Sequence, residues 1–338
     1  MARVYTEGFE AGDLLNLWST YNAARISAAD SHTGAYCFEI YNSMGTGGSG
    51  TIAVPAVPES YARFWVRTSG SYDGTQAVLY VLGNLGGTVA EIRDAVSGST
   101  YYLKAYVGAT LVGQSAPGSV LLNNWHMIEL RNDIHATAGV FQVRLDGVLV
   151  VDFAGNTKPT ADTLIQYYVM SGLGPWALRK FDDIAINDTV GPTDFLWPGD
   201  GRVIALVPNA AGTYTDLTPS AGANWQCVDE RPSDGDTSYV ESSTVDQKDS
   251  YNLAACGLTD VVIRRVWVEL RARKDAPDAG INVATLLRSL GVNYQGSDQA
   301  LALAYARFAS AVYAVHPGTG AAWTPAQLDA LEVGEVVR

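Results

Sequence analysis

The sequence is poor in the residues that build metal centres and nucleic-acid interfaces. It has 3 cysteines and 4 histidines among 338 residues, and its 22 basic residues are outnumbered by 35 acidic ones, which gives a formal net charge of -13. A protein with this charge is repelled by phosphate backbones, and no local basic patch overrides the average. We therefore expect no nucleic-acid partner.

Two kinds of hydrophobic segment are also missing. No apolar run reaches the roughly 18 residues that a membrane-spanning helix needs. Residues 1–7 lack the apolar stretch and the cleavage site of a secretory signal. The sequence therefore predicts a protein without a membrane span that is synthesised in a cytosol.

The cysteines indicate neither a metal site nor a disulfide framework. Cys37, Cys227 and Cys256 do not have the spacing of zinc ligands, and their number is odd. We expect buried thiols, with Cys227 and Cys256 as the one pair to test for oxidation. The histidines are equally scattered, so the sequence predicts no zinc and no resident cofactor.

Residues that favour strands and tight turns are abundant. The chain has 34 glycines, 18 tyrosines and 8 tryptophans, whereas methionine occurs only 4 times. This composition favours many short strands over long helices. Because domains usually span 100–200 residues, the length suggests two domains or one large all-β unit.

Residues 36–187 alternate between β-rich runs and turn residues. Asp146-Gly147 lies between two such runs and can adopt the positive φ angles of a two-residue type I′ turn, so we predict a hairpin there. Regularly spaced strands are typical of an antiparallel sandwich or jelly roll. The predicted strands of this half are Tyr36–Tyr41, Tyr61–Arg67, Ala77–Leu82, Tyr101–Val107, Trp125–Arg131, Val140–Leu145, Val148–Phe153, Leu164–Met170 and Phe181–Asn187.

A cluster of prolines and glycines interrupts this pattern and predicts a linker at residues 191–202, between domains at 1–190 and 203–338. Near the C-terminus, Thr324 is suited to cap a short helix that Gly334 would end. The predicted fold class is all-β, with two tandem antiparallel β-sandwich (jelly-roll) domains and a short C-terminal helix. The second domain has predicted strands at Val203–Val207, Ser238–Glu241, Val261–Leu270, Ile281–Leu287 and Leu301–Val315, although the start of the last segment also fits a helix.

Short motifs of the first half resemble the concanavalin A-like, laminin G-like jelly roll. They cover most of residues 1–190. Members of this family bind glycans, bind proteins or serve as scaffolds, so the fold alone does not select a function. The motifs are Glu7-Gly-Phe9-Glu10-Ala-Gly-Asp13 followed by Trp18, Trp125-His126-Met-Ile-Glu-Leu130, the Asp146-Gly147 hairpin, and Phe181-Asp-Asp-Ile184-Ala-Ile186.

The second half is similar to a domain of tailed-bacteriophage virion proteins. The similarity rests on Val228-Asp-Glu230, Asp236-Thr-Ser-Tyr239-Val240, His316-Pro317-Gly-Thr-Gly320-Ala-Ala-Trp323-Thr324 and Leu331-Glu-Val-Gly334. This resemblance implies a non-enzymatic structural protein on the head or tail of a phage particle, as a decoration, spike, fibre or tail-attachment component.

The same resemblance implies partners and a location. The expected partners are other virion proteins, and a homo-oligomer such as a trimer would suit the symmetry axes of a particle. The expected location is the virion, after synthesis in the host cytoplasm. The alternative function is a glycan-binding module that recognises host-surface polysaccharide.

The sequence lacks the motifs of a hydrolytic enzyme with this fold. Members that cleave β-glucans carry Glu-x-Asp-x-x-Glu on a strand, and neither this triplet nor Gly-x-Ser-x-Gly occurs here. The nearest acidic pair, Asp182 and Asp183, should point to opposite faces because side chains alternate along a strand. We expect them to bond to the backbone of a neighbouring loop, and we predict no catalytic residue and no enzymatic activity.

An acidic stretch provides a candidate metal site. Asp234 and Asp236 are candidate calcium ligands because calcium prefers oxygen ligands, although no complete calcium-loop consensus is present. The alternative is a solvated acidic loop. The acidic residues of the stretch are Asp229, Glu230, Asp234, Asp236, Glu241, Asp246 and Asp249.

Basic and aromatic residues provide two further candidates. Arg271 and Arg273 share one face of a predicted strand and, with Lys274, could contact an acidic loop of a neighbouring subunit. An ordinary solvated strand end is the alternative. The candidates for stacking on sugar rings, for which core packing is the alternative, are Tyr72, Tyr101 and Tyr102.

Overall fold

The computed structural model describes residues 3–14, 20–41, 47–69, 77–172, 178–191, 193–277 and 280–338. The described part of the chain divides into two compact units, one ending at Ile204 and the other formed by Ala205–Arg338. Regular structure is almost entirely β, in antiparallel sheets, with one short α-helix close to the C-terminus. The predicted fold class is therefore confirmed.

The first unit contains fifteen described strands. All nine strands predicted in this half are present, with ends that shift by a few residues. The strands are β1 (Arg3–Glu7), β2 (Thr20–Asn22), β3 (Ala24–Ser27), β4 (Cys37–Ile40), β5 (Gly48–Val57), β6 (Glu59–Ser69), β7 (Ala77–Gly83), β8 (Thr88–Ser97), β9 (Thr100–Val107), β10 (Thr110–Gln114), β11 (Trp125–Asp133), β12 (Gly139–Leu145), β13 (Val148–Gly155), β14 (Ile165–Gly172) and β15 (Leu178–Asn187).

These strands form two sheets that pack face to face. The first sheet has the order β13-β12-β11-β6-β15-β4-β3, with β1 added on β15, and the second has the order β10-β9-β8-β7-β14-β5-β2. Phe64 of the first sheet packs on Tyr168 of the second, with ring centroids 5.7 Å apart. The Tyr168 hydroxyl also lies 2.6 Å from the Ser60 hydroxyl across the same interior. The unit is thus an antiparallel β-sandwich.

The predicted hairpin at Asp146-Gly147 is present between β12 and β13. Both residues have positive φ, 50° and 81°, as a type I′ turn requires. The Asp146 carboxylate also accepts a hydrogen bond from the Met127 amide at 2.8 Å and lies 2.7 Å from Nδ1 of His126. The turn is therefore tied to β11 as well as to its own strands.

The segment predicted as a linker lies against the first sheet. The Arg63 guanidinium donates to the Gly199 carbonyl at 2.8 Å, and the Gly199 amide donates to Glu129 at 2.8 Å. Trp197 packs against Tyr61 and beneath the guanidinium of Arg144, 4.0 Å from its ring centroid. Residues 196–199 therefore cover polar side chains on the outer face of the first sandwich.

The second unit has shorter strands and one main sheet. This sheet has the order β16-β19-β25-β21-β22, with β23 on β21, and two small sheets pair β17 with β18 and β20 with β24. A 3-10 turn spans Asn224–Cys227. The elements are β16 (Pro208–Thr215), β17 (Thr218–Pro219), β18 (Val240–Glu241), β19 (Lys248–Leu253), β20 (Glu269–Ala272), β21 (Asn282–Ser289), β22 (Val292–Gln295), β23 (Gln299–Ala300), β24 (Ala306–Ala309), α1 (Pro325–Asp329) and β25 (Glu332–Val337).

The C-terminal helix begins as predicted and ends early. Thr324 caps α1 and forms a capping box with Gln327. The prediction that Gly334 ends the helix is wrong, because α1 ends at Asp329 and Gly334 lies inside β25. Strand β25 is held in the sheet by β19 and β21, which pair with it on both sides.

A cluster of buried hydrophobic residues in the second unit includes Leu328 of this helix and Trp323 just before it. Trp323, 3% exposed, donates its indole N–H to the Tyr313 carbonyl at 3.1 Å. The tryptophan thereby anchors the segment before the helix. The buried residues that form this cluster are Leu253, Val268, Leu287, Trp323, Leu328 and Leu331.

Several strand predictions for the second half are wrong or too long. Val203–Val207 forms no strand, and the strand predicted at Val261–Leu270 begins only at Glu269. In the predicted strand Leu301–Val315, only Ala306–Ala309 is one. An apolar alternation indicates a strand only if a partner lies alongside, and here the partners are isolated bridges such as Val266 with Tyr313.

Candidate functional site

A row of polar and aromatic side chains lies on the outward face of the second sheet. Leu79, Ile92 and Ala105 of neighbouring strands are fully buried and point into the sandwich. Residues one step along each strand therefore point outward. On this face Tyr80 of β7 pairs with Glu91 of β8, and Glu91 pairs with Tyr106 of β9.

Arg93 of β8 and Lys104 of β9 form the next outward row, directly opposite each other. We refer to Tyr80, Glu91, Arg93, Lys104 and Tyr106 together as the tyrosine face. The register of three hydrogen-bonded strands sets their positions. The face is consequently built on rigid backbone rather than on loops.

The charges of the tyrosine face are partly neutralised within it. Glu91, only 4% exposed, lies 2.7 Å from Nη2 of Arg93. The Arg93 guanidinium also lies 4.4 Å from the Tyr106 ring centroid, within cation–π range. The hydrogen bond with Glu91 raises the pKa of Arg93, and burial followed by the Glu91 charge raises the pKa of Tyr80.

Further aromatic residues extend this surface. Tyr167 of β14 pairs with Leu82 and with Ala53, so its side chain faces the same way as Tyr80. Tyr102 of β9 lies two residues before Lys104, whose ammonium is 5.8 Å from the Tyr102 ring centroid. The surface thus combines tyrosine rings with two cations, and the Glu91 carboxylate is largely covered beside Arg93. This combination is suited to a ligand with apolar faces and hydroxyl groups.

The predicted sugar-contacting tyrosines have different positions in the structure. Tyr102 lies on the outward side of the second sheet, although it is only 8% exposed. Tyr101 lies one residue earlier on β9 and therefore faces the other side of the sheet. Tyr72 lies outside the described residues.

The candidate calcium ligands are engaged in hydrogen bonds within the chain. Asp236 accepts from Arg273 at 2.9 Å and from the Tyr305 hydroxyl at 2.7 Å. These bonds, first from Tyr305 and then from Arg273, lower the pKa of Asp236. Asp234 accepts from the Ser238 hydroxyl at 2.9 Å. Calcium at this loop stays a prediction.

The candidate interface residues surround the same loop. The guanidinium carbons of Arg271 and Arg273 lie 4.9 Å and 5.3 Å from the Tyr305 ring centroid, so both arginines share one face. The acidic residue that meets Arg273 is Asp236 of the same chain. Lys274 donates to the Pro277 carbonyl at 3.0 Å. Whether these residues also contact another subunit stays a prediction.

The prediction that Asp182 and Asp183 face opposite sides is wrong. A β-bulge follows Asp182, and Asp183 has a φ of 45°. Asp182 accepts from the His32 amide at 2.8 Å, and Asp183 lies 2.7 Å from Nδ1 of His32 and from the Thr33 hydroxyl. Their bonding to a neighbouring loop agrees with the expectation from sequence.

The surroundings of this acidic pair exclude water. Both carboxylates are fully buried, and the imidazole of His32 stacks on Trp65 with centroids 3.8 Å apart. Burial, and then the adjacent Asp183 charge, raises the pKa of Asp182. The pair holds the loop at residues 32–33 on β15, which is a structural task.

A second acidic pair lies in the main sheet of the second unit. Asp249 of β19 and Glu335 of β25 are direct cross-strand partners, and the Tyr251 hydroxyl lies 3.2 Å and 2.7 Å from their respective carboxylates. Burial and the Asp249 charge raise the pKa of Glu335 to about 8. The solvated-loop alternative is wrong for Asp249, which is fully buried and accepts from the Leu217 amide.

The described residues contain no group of three or more histidine, cysteine, aspartate or glutamate side chains placed to hold a metal ion. Cys37, Cys227 and Cys256 are all free thiols. Burial raises the pKa of Cys37 to about 12, so this thiol is held in its neutral form. Within the same ranges, no helix has the length and apolar character to cross a membrane.

Most of the tyrosine face lies outside the site residues predicted from the sequence. Strand β8 was not predicted, because the charges of Glu91, Arg93 and Asp94 break its apolar alternation. Asp94 points inward and is tolerated there through a buried ion pair with Arg179. A usable signal was present on β9, where Tyr102, Lys104 and Tyr106 occur at every second position.

No protein-family model matches this chain, and no curated protein matches it significantly. Among solved structures, it is similar to the alginate lyase Aly36B, with 12% identity over 54% of this chain and 93% of that chain and a TM-score of 0.41.

Two further similar structures have comparable values. The first is the cellulose-induced protein Cip1, with 13% identity over 57% of this chain and 98% of that chain and a TM-score of 0.38. The second is a conserved carbohydrate esterase from the Shiga toxin-encoding bacteriophage phi24B. It has 13% identity over 50% of this chain and 88% of that chain, and the TM-score is 0.38. Identities and TM-scores this low carry no argument about activity or ligand.

Proposed function

We propose that this protein is a non-enzymatic carbohydrate-binding module whose ligand lies across the tyrosine face. The observation that carries the proposal is the outward row of Tyr80, Glu91 and Tyr106, in which two aromatic rings flank a carboxylate on one sheet surface. Aromatic ring faces suit the apolar side of a pyranose, and the Arg93 guanidinium, held in place by Glu91, supplies donors for hydroxyl groups.

The rigidity of the face supports the same proposal. The three side chains of the row are on paired strands, and Glu91 is held by Arg93, which itself packs on Tyr106. Side chains that are already ordered lose little conformational entropy when a ligand binds. A preformed face of this kind therefore retains more of the contact energy as affinity.

Binding without cleavage is the second part of the proposal. Hydrolysis of a glycosidic bond generally uses two carboxyl groups, about 5–5.5 Å apart for retention and about 6.5–9.5 Å apart for inversion. Glu91 is the one carboxylate that we place on the tyrosine face within the described residues. We expect incubation with a bound polysaccharide to release neither reducing ends nor unsaturated products, and release of either contradicts this part.

A glycan array followed by calorimetry on the strongest glycan tests the binding proposal. We expect Tyr80→Ala and Tyr106→Ala each to raise Kd about tenfold, a loss near 1.4 kcal/mol that is typical of an anchoring aromatic residue. Tyr239→Ala is the matched control, because Tyr239 is an exposed tyrosine of the second unit, 37% accessible. It should leave Kd unchanged.

Two outcomes contradict the proposal in different ways. If glycan binding is unchanged in both tyrosine variants, the binding site does not lie on the tyrosine face. Failure to bind any glycan on a broad array removes the function itself.

We also propose, from the resemblance of residues 203–338 to virion domains, that the module is carried on a tailed-phage particle and recognises host-surface polysaccharide. Its partners would be other virion proteins, in a homo-oligomer such as a trimer. Mass spectrometry of gradient-purified particles should detect the protein, and mass photometry should give a multiple of 36.0 kDa. A monomer absent from particles contradicts this placement but leaves glycan binding untouched.

A further inference from the structure

Two positive charges face each other on the tyrosine face. Arg93 and Lys104 are direct partners in the antiparallel pairing of β8 and β9. Both point outward, because side chains alternate along a strand and the adjacent residues, Ile92 and Ala105, are buried in the sandwich. Like charges directly opposite each other on neighbouring strands are destabilising. The arrangement therefore costs stability unless another group neutralises it.

The neutralisation inside the chain is incomplete. Arg93 has Glu91 as its partner, whereas Lys104 has no carboxylate within 4 Å among the described residues, and its ammonium lies 5.8 Å from the Tyr102 ring centroid. Several other cations of the first unit are paired with carboxylates, as in Arg25 with Glu39, Arg131 with Glu59 and Arg179 with Asp94. What distinguishes Lys104 is that this uncompensated charge lies directly opposite a second cation, Arg93.

A third hydrogen-bond donor continues this row. Gln114 of β10 pairs with Lys104, and a bulge between Leu111 and Gly113 lets both Leu111 and Gln114 point outward. Neighbouring strands are about 5 Å apart, so Arg93, Lys104 and Gln114 form a line of donors roughly 10 Å long. That length is comparable to two linked sugar rings, and the row lies beside the ring faces of Tyr80 and Tyr106.

We infer that the row of Arg93, Lys104 and Gln114 binds the anionic substituents of an acidic polysaccharide. A carboxylate or sulfate between Arg93 and Lys104 relieves their repulsion, and the adjacent tyrosines pack on the sugar rings that carry it. This inference rests on the proposed function and specifies the class of glycan. Carboxylate and sulfate share the required chemistry, and the experiment separates them.

The test uses two pairs of polymers, and the members of each pair share a sugar backbone but differ in charge. Polygalacturonate is compared with its methyl-esterified form, and dextran sulfate is compared with dextran, by calorimetry with the full chain. We expect the charged member of at least one pair to bind at least tenfold more tightly. We also expect that affinity to fall steeply between 50 mM and 500 mM salt, because salt screens exposed charges.

Substitutions connect this preference to the row. Lys104→Gln should lower affinity for the charged polymer at least tenfold without lowering the unfolding temperature, since it removes a repulsion. Lys104→Arg should keep the affinity and serves as the second variant if Lys104→Gln does not fold. Lys158→Gln is the matched control, a lysine of the same unit that lies outside the row, and it should have no effect.

The outcomes separate the two proposals. Equal affinity for the charged and neutral members of both pairs overturns this inference and leaves the carbohydrate-binding proposal standing. Equal losses in Lys104→Gln and Lys158→Gln indicate unspecific attraction and also overturn it. No binding to any glycan contradicts both proposals.

Discussion

Asp182 and Asp183 are consecutive residues of one strand, yet both of their carboxylates contact the loop at His32 and Thr33. Regular alternation would separate the two side chains by the thickness of the sheet. The bulge after Asp182 and the positive φ of Asp183 bring them to the same side. Two buried acidic groups therefore share the task of holding one loop.

Removing Asp183 should destabilise the first unit strongly. Asp183→Ala leaves His32, the Thr33 hydroxyl and the Val203 amide without their acceptor, and we expect a loss of about 3 kcal/mol in the free energy of unfolding. Urea unfolding measures it. Asp152→Ala, at an exposed carboxylate of the same unit, should cost about 0.5 kcal/mol or less. Similar losses in the two variants would show that the pair is not important for stability.

A substitution at Gly147 in the hairpin turn should destabilise the protein through backbone strain and not through a steric clash. A Cβ at Gly147 would meet no atom within 4 Å, so the cost of Gly147→Val comes from its φ of 81°. We expect a loss of about 1–3 kcal/mol, measured from the thermal transition. Gly147→Asn should cost clearly less, because asparagine tolerates positive φ. A valine variant as stable as the parent protein would refute the strain argument.

The segment at residues 196–204 should contribute to the stability of the first unit. A fragment ending at residue 190 loses the Gly199 partners of Arg63 and Glu129, which are 4% and 1% exposed, and also loses the Trp197 ring. We expect fragment 1–204 to unfold cooperatively, by circular dichroism, at a higher temperature than fragment 1–190. That either fragment folds alone is itself a prediction, and equal unfolding temperatures would contradict the role of the segment.

Glu335 should make the stability of the second unit fall as pH rises. Its pKa is about 8 in the folded chain and near 4.5 when unfolded, so between these values the folded state holds a proton that the unfolded state has lost. The stabilisation is complete below pH 4.5 and disappears as pH rises through 8. The groups that face this carboxyl are Asp249 and Tyr251.

The measurement is the free energy of unfolding at pH 5, 6, 7 and 8. Glu335→Gln should remove most of the decline that this group causes. Glu332→Gln is the control. Burial acts to raise the pKa of Glu332, but hydrogen bonds from Ser250 and Thr213 lower it overall, so its effect lies below pH 4.5. An unchanged slope in Glu335→Gln would contradict the prediction.

We expect no calcium ion to bind at the acidic loop, so millimolar calcium should leave the unfolding temperature of the protein unchanged. Asp236 is already bound to Arg273 and Tyr305, and Asp234 to Ser238, so a calcium ion would have to break these contacts. Specific binding would raise stability by about 2.7 kcal/mol at a hundredfold excess over Kd. A rise in unfolding temperature that disappears in the Asp234→Asn, Asp236→Asn double variant would overturn this expectation.

Local chemistry made some elements predictable from the sequence. Asp146-Gly147 requires positive φ angles that few residue pairs adopt, and Thr324 with Gln327 forms a capping box wherever a helix starts there. The first unit's long alternating runs also predicted strands correctly. Each of these signals lies within a few neighbouring residues, so no distant contact is needed to interpret it.

Contacts between distant residues decided the candidate site. Strand β8 places Glu91 and Arg93 on the tyrosine face, but its inward Asp94 interrupts the alternation of apolar and polar residues that would predict a strand. This buried aspartate is stabilised by Arg179, which is 85 residues away in the sequence. In the same way, only the folded chain shows that Asp236 of the acidic loop forms an ion pair with Arg273 of the same chain.

The sequence by itself thus determined the all-β class, the hairpin and the helix start, because backbone preferences and side-chain alternation are local. Only the tertiary structure decided that Tyr80, Glu91 and Tyr106 form one row, that Arg93 opposes Lys104, and that Asp182 and Asp183 face the same loop. These relationships depend on strand register and on a bulge. Register is set by the partner strands and the packed core, so it is not encoded in any single segment.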